Sequence, residues 1–195
     1  MIAPVFPSPI ALIIIDMQQG MRRMPAESRN NPQAEETILR LLCAWRAAGQ
    51  PVVHVRHMSR TPGSPFWPGQ DGVEFQPELQ PLPGEHVQEK NVPDVFIHSQ
   101  LERWLRMRGI QQLVITGVST NNSVEACVRT AGNLGFDTLV VADGCYAYAK
   151  ADFDGVLRSA QQVHAMALAN LQGEYAQVIN SEAALALLLK SSVAL

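Results

Sequence analysis

Ala11-Leu12-Ile13-Ile14-Ile15-Asp16 is a run of five apolar residues closed by a carboxylate. Without polar alternation, such a run reads as a strand covered on both faces, and Asp16 falls at its carboxyl end. Strands of this kind belong to parallel sheets between helical layers, where chemistry gathers at the carboxyl edge. Working outward, Asn31-Pro32 followed by Glu35 and Glu36 predicts a helix start, with Ile38, Leu41, Leu42 and Trp45 on one stripe up to Gly49. Pro51–His57 and His86–Lys90 read as the second and third strands. Ser99-Gln100-Leu101-Glu102 has capping-box spacing, and Leu101, Trp104, Leu105 and Arg108 share a helical face up to Gly109.

Gln112–Thr116 is a fourth strand, and Gly117 opens a turn into a helix whose Val124, Cys127, Val128, Ala131 and Leu134 keep helical spacing up to Gly135. Thr138–Ala142 reads as a fifth strand, Asp154–Leu171 as a helix, Tyr175–Ile179 as a sixth strand and Ser181–Lys190 as a closing helix. Strands alternating with helices at these lengths imply parallel pairing through right-handed crossovers. The expected fold is a Rossmann-like three-layer α/β/α sandwich, with a mostly parallel six-stranded sheet in one domain over residues 1–195.

Composition narrows the function classes. A net charge of −3 from 15 basic and 18 acidic residues, with the signs interspersed, gives no basic footprint for nucleic acid or an anionic membrane. No apolar run approaches the roughly 20 residues that span a bilayer, and Asp16 interrupts the one early candidate for a leader. A small-molecule substrate is the expected partner. Cys43, Cys127 and Cys145 are odd in number and widely spaced, which predicts a reducing, cytoplasmic setting without disulfides or structural zinc. Cys127 and Cys43 read as small buried hydrophobes, and Cys145 as structural. His54 and His57 are three apart in a strand and so face opposite sides; no metal is expected. His164 reads as a packing or hydrogen-bonding group.

Residues 58–85 break the rhythm, with six of the 13 prolines, four glycines and the aromatics Phe66, Trp67 and Phe75. An irregular segment of this length inside a domain points to a binding loop, so the three aromatics, with Asn122, are candidate substrate-pocket residues.

The carboxyl ends of strands one, three and four can meet at a switch in strand order, which makes Asp16, Lys90 and the turn Gly117–Ser123 candidate neighbours. Three motifs in order carry a resemblance. They are Ala-Leu-Ile-Ile-Ile-Asp16-Met-Gln, then Glu-Lys90 with Phe96 six residues on, then Val-Ile-Thr-Gly117-Val-Ser-Thr-Asn-Asn-Ser123-Val-Glu-Ala. Arg129-Thr-Ala-Gly-Asn-Leu-Gly-Phe136 and Val-Val-Ala-Asp143-Gly-Cys continue it. Over nearly its whole length the chain resembles the isochorismatase-like cysteine hydrolases. That resemblance implies a catalytic set of Asp16, Lys90 and the residue at 123, and a cis peptide between Val118 and Ser119. It also implies an oxyanion hole from the backbone N–H groups of Ser119 and Ser123, no cofactor, and a homo-oligomer, dimer or tetramer.

Position 123 departs from the family pattern, in which cysteine is usual. A serine hydroxyl is several pK units less acidic than a thiol, at about 1.4 kcal/mol per unit, and a carboxylate is a poor base for it without a histidine relay. Four readings of Ser123 stay open on sequence alone: a slow nucleophile, a reaction that needs none, lost catalysis, or an introduced replacement for cysteine. The expected activity is hydrolysis of a small amide or related carbonyl–nitrogen substrate. The alternatives are vinyl-ether hydrolysis of an isochorismate-like compound, with Asp16 as proton donor, and a silent small-molecule-binding homologue.

Overall fold

A computed structural model describes residues 8–24 and 28–193, with side chains up to residue 189. Alternation in the first strand, β1 (Ile10–Ile15), splits its side chains between two cores. Ala11, Ile13 and Ile15 enter one, and Ile10, Leu12 and Ile14 the other. Burial on both faces explains the continuous apolar run, since neither side of the strand meets water.

The remaining sheet strands are β2 (Val52–His57), β3 (His86–Lys90), β4 (Gln112–Val118) and β5 (Asp137–Tyr146). A two-stranded hairpin follows, β6 (Lys150–Ala151) and β7 (Leu157–Arg158), and then the last sheet strand, β8 (Gln177–Ile179). The six-stranded sheet runs β3-β2-β1-β4-β5-β8, and every pairing is parallel. The order reverses between β1 and β4, which opens a crevice at their carboxyl ends.

Helices α1 (Ala34–Ala47) and α5 (Ser181–Val193) cover one face through Ile38, Leu41, Leu42, Trp45, Ala184 and Leu188. The opposite face is covered by α2 (Leu101–Met107), α3 (Glu125–Asn133) and α4 (Ala160–Leu171). They supply Leu101, Leu105, Cys127, Val128, Ala131, Leu168 and Leu171. The fold is thus the expected α/β sandwich. Among the described residues no helix is long and apolar enough to cross a membrane.

Several boundaries differ from expectation, each for a local reason. Asn31 does not cap α1; its Nδ2 donates to the carbonyls of Ala142 (2.9 Å) and Cys145 (2.6 Å), and the helix begins at Ala34. Ser99 forms no capping box, because its Oγ accepts from Leu101 N at 3.2 Å. Strand β5 runs on to Tyr146, past the Asp143-Gly144 pair, with a register shift against β4 between Ile115 and Gly117. The segment from Asp154 to Arg158 is not helical. Asp152 Oδ1 accepts from the N–H of Asp154 (3.1 Å) and Val156 (2.9 Å), folding the chain into the hairpin. Helix α4 then starts on a capping box between Ser159 and Gln162. Strand β8 begins at Gln177, because the N–H groups of Tyr175 and Ala176 close α4 onto Leu171 O, both at 3.1 Å. Cys43 is exposed, one position round the helix from the stripe that holds Leu42.

Candidate active site

Asp16 follows β1 with φ at +55°, a left-handed conformation that Asp tolerates better than most residues. The turn is held by Asp16 N donating to Val55 O (2.9 Å) and Gln18 N donating to Asp16 O (2.8 Å). Beside it, Gly117 at φ +123° ends the straight part of β4; a Cβ there would sit 2.2 Å from Ile15 O. Only glycine lets the two strands approach this closely at the crevice. The Val118–Ser119 peptide is cis. After it the chain makes one wide turn over Thr120–Val124, in which Val124 N reaches back to Ser119 O at 3.2 Å. Wide i→i+5 turns of this kind recur at functional sites. From below, Thr120 Oγ1 meets His164 Nδ1 at 2.8 Å, so α4 braces the turn.

Lys90 ends β3, the outer strand, and its side chain crosses the end of β2 to reach the crevice. Its Nζ donates to Asp16 Oδ2 at 2.7 Å and to Ser123 Oγ at 3.1 Å. The three residues are 2%, 4% and 6% exposed for Asp16, Lys90 and Ser123, so the contacts operate largely out of water. Asp16 Oδ1 is buried without a hydrogen-bond partner. A buried carboxylate oxygen left open beside an ammonium and a hydroxyl is equipped to accept or deliver a proton.

The buried thiols do not compete for that role. Burial pushes the Cys127 thiol far above its ordinary range, and its Sγ accepts from Val95 N at 3.2 Å as part of the core. Burial likewise pushes Cys145 up to about 12. Neither can supply thiolate near neutral pH.

Of the candidate pocket residues, Asn122 lines a cleft of about 330 Å³ with Ser119, Asn121, Tyr148 and Lys150. The loop aromatics do not line that cleft. Phe75 is buried edge-on to His54 (centroids 5.6 Å apart), Phe66 sits edge-on to His57 (6.2 Å), and Trp67 is exposed. The loop is nevertheless tied to the site by Gln18. Its Oε1 accepts from His57 N (2.7 Å), and its Nε2 donates to His57 O (3.0 Å) and Val73 O (2.9 Å). Gln18, His57, Asn121, Tyr148 and Lys150 were not expected near the site. Gln18 stands two residues after Asp16 and His57 ends a strand, which are signals in the sequence; Tyr148 and Lys150 lie beyond a strand longer than its apolar run. Among the described residues no group of three or more His, Cys, Asp or Glu could hold a metal ion.

A doubly wound parallel sheet with a buried carboxylate, ammonium and hydroxyl linked at its switch point defines an α/β enzyme scaffold with a small-molecule site. Residues 10–183 match the isochorismatase domain, and the chain belongs to the isochorismatase family of hydrolases. A crystal structure of an isochorismatase-family protein from Chromobacterium violaceum superposes with a TM-score of 0.88 at 49% identity, covering 97% of this chain and 100% of that one. The isochorismatase family protein YrdC of Bacillus subtilis is 34% identical over 88% of this chain and 92% of its own length. The ureidoacrylate amidohydrolase RutB of Variovorax paradoxus is 28% identical over 74% of each chain.

Proposed function

We propose that the chain hydrolyses a small carbonyl–nitrogen substrate at Asp16, Lys90 and Ser123. The observation that carries this reading is the buried linkage of Lys90 Nζ to both Asp16 Oδ2 and Ser123 Oγ, with Asp16 Oδ1 left open. The similarity to a ureidoacrylate amidohydrolase supports the same substrate class. Ser123 Oγ attacks the carbonyl carbon while its proton passes to the Asp16 carboxylate. The carbonyl oxygen takes the negative charge and is held by the N–H groups of Ser119 and Ser123. Collapse breaks the carbon–nitrogen bond, and the leaving nitrogen takes the proton from Asp16. Water then releases the acyl group by the same path in reverse. Lys90 stays an ammonium throughout and stabilises alkoxide character at Oγ.

One observation favours a second reading. The group in hydrogen-bond contact with Ser123 Oγ is a donor, Lys90 Nζ, so no base touches the hydroxyl in this geometry. Asp16 could instead protonate a vinyl ether for attack by water, with Ser123 a bystander. A panel of small amides and one vinyl ether separates the two. The amide reading expects Ser123→Cys to raise amide turnover and Ser123→Ala to abolish it. Silence of Ser123→Ala on the vinyl ether, with no variant cleaving amides, would establish the second reading and overturn the first.

A further inference from the structure

His57 has no place in the chemistry above, yet its surroundings are those of a site residue. It is the register partner of Lys90 across β2 and β3, so the two side chains leave the same face of the sheet at its carboxyl edge. Gln18 clamps its backbone from both sides, through N–H and carbonyl, which fixes where the ring stands. Phe66 packs edge-on against the ring. Of the other buried or half-buried histidines, His54 Nε2 meets Glu85 at 2.9 Å and His164 Nδ1 meets Thr120 at 2.8 Å, while His54 Nδ1 and His86 Nε2 are buried without a hydrogen-bond partner. His57 Nδ1 is buried with no hydrogen-bond partner. Leaving a buried ring nitrogen unpaired is costly, and of the three only that of His57 belongs to a ring beside Lys90 and Asp16, where a ligand can supply the missing partner. Burial, reinforced by the Lys90 ammonium and partly offset by Asp16, keeps the imidazole below the ordinary histidine range, so it is neutral near pH 7.

The strand order gives the direction. β2 and β4 flank β1, so His57 and the Ser119–Ser123 turn lie on opposite sides of Asp16. A substrate whose carbonyl oxygen points into the turn spans the edge over Asp16, and its far side meets His57. We propose that His57 is a substrate-binding residue of this site, its unpaired Nδ1 forming a hydrogen bond to a polar atom of the bound substrate. The assignment rests on the carbonyl–nitrogen hydrolase reading.

The test exploits shape. Asparagine places its amide where Nδ1 stands, glutamine where Nε2 stands, and phenylalanine keeps the packing on Phe66 with no polar atom. On the amide that the wild-type protein turns over best, His57→Phe should raise KM about tenfold with kcat changed by less than about threefold, the signature of lost binding. His57→Asn should stay near wild type, and His57→Gln should behave as His57→Phe. Melting curves confirm that each variant is folded. His57→Asn as impaired as His57→Phe, or a His57→Phe variant with unchanged KM, would overturn the assignment. If no amide is turned over, the hydrolase reading fails on its own, and histidine ¹⁵N NMR decides this one. Titration with acetamide should move the Nδ1 resonance of His57 in the wild-type protein, and an unmoved Nδ1 overturns the proposal.

Discussion

Lys90 and Asp16 bind each other where little water reaches either, with 0% and 3% side-chain exposure. Such a pair is weak as a source of stability, but removing one partner strands a buried charge at a cost of about 3–5 kcal/mol. Lys90→Met should therefore lower the unfolding free energy by about 3 kcal/mol in urea titrations. The double variant Asp16→Asn with Lys90→Met should recover most of that loss, because no charge is left unpaired. A Lys90→Met variant as stable as wild type would mean that the pair is not buried as described. Asp16, Lys90 and Ser123 were legible in the sequence because each closes an element or a turn with a motif around it. His57 was read only against a metal motif, and strand parity separated it from His54. The same parity puts it beside Lys90 once the register of β2 and β3 is known, and register between distant strands is not written locally.

At the scale of elements, the segment between β2 and β3 shows what sequence pattern conveys and what it does not. Its proline and glycine content correctly predicted an irregular course; of the aromatics proposed for the pocket, Phe66 and Phe75 pack edge-on against histidines on β2 and Trp67 is exposed. The segment ends in Glu85, whose carboxylate draws together three elements. It accepts from Arg46 Nε on α1 (2.7 Å), His54 Nε2 on β2 (2.9 Å) and Leu82 N (2.7 Å). Burial would raise the Glu85 carboxyl, but Arg46, the Leu82 N–H and His54 outweigh it and hold the group at about 2, against an ordinary 4.5. A carboxylate depressed on folding stabilises fully above its unfolded value, and the gain is lost as the pH falls through the folded one. Glu85→Gln should thus cost on the order of 2 kcal/mol at pH 7, after allowing for solvent screening. The gap from wild type should close between about pH 4.5 and pH 2. Unfolding curves across that range check it; a gap that does not change with pH would contradict the account. The β6–β7 hairpin escaped the sequence reading for a different reason, since Asp152 organises it through side-chain contacts that leave no periodicity.

For the molecule as a whole, the run from Ala11 to Asp16 carried most of what could be known in advance. A strand apolar on both faces demands two helical layers, and two layers on a parallel sheet force a reversal of strand order where a site can open. The structure supplies both cores and puts the reversal between β1 and β4. What the whole fold adds is convergence, because Lys90 belongs to the edge strand and reaches Asp16 only by crossing β2. The central claim is that this convergence makes Ser123 a nucleophile. Intact-mass spectrometry of the protein mixed with an activated ester tests it most directly, since an ester acylates any competent serine and traps the intermediate. The account predicts one acyl group per chain, mapped by peptide analysis to Ser123, absent from Ser123→Ala and strongly slowed in Asp16→Asn. A wild-type protein that stays unmodified, or that is acylated equally when Ser123 is alanine, would contradict it.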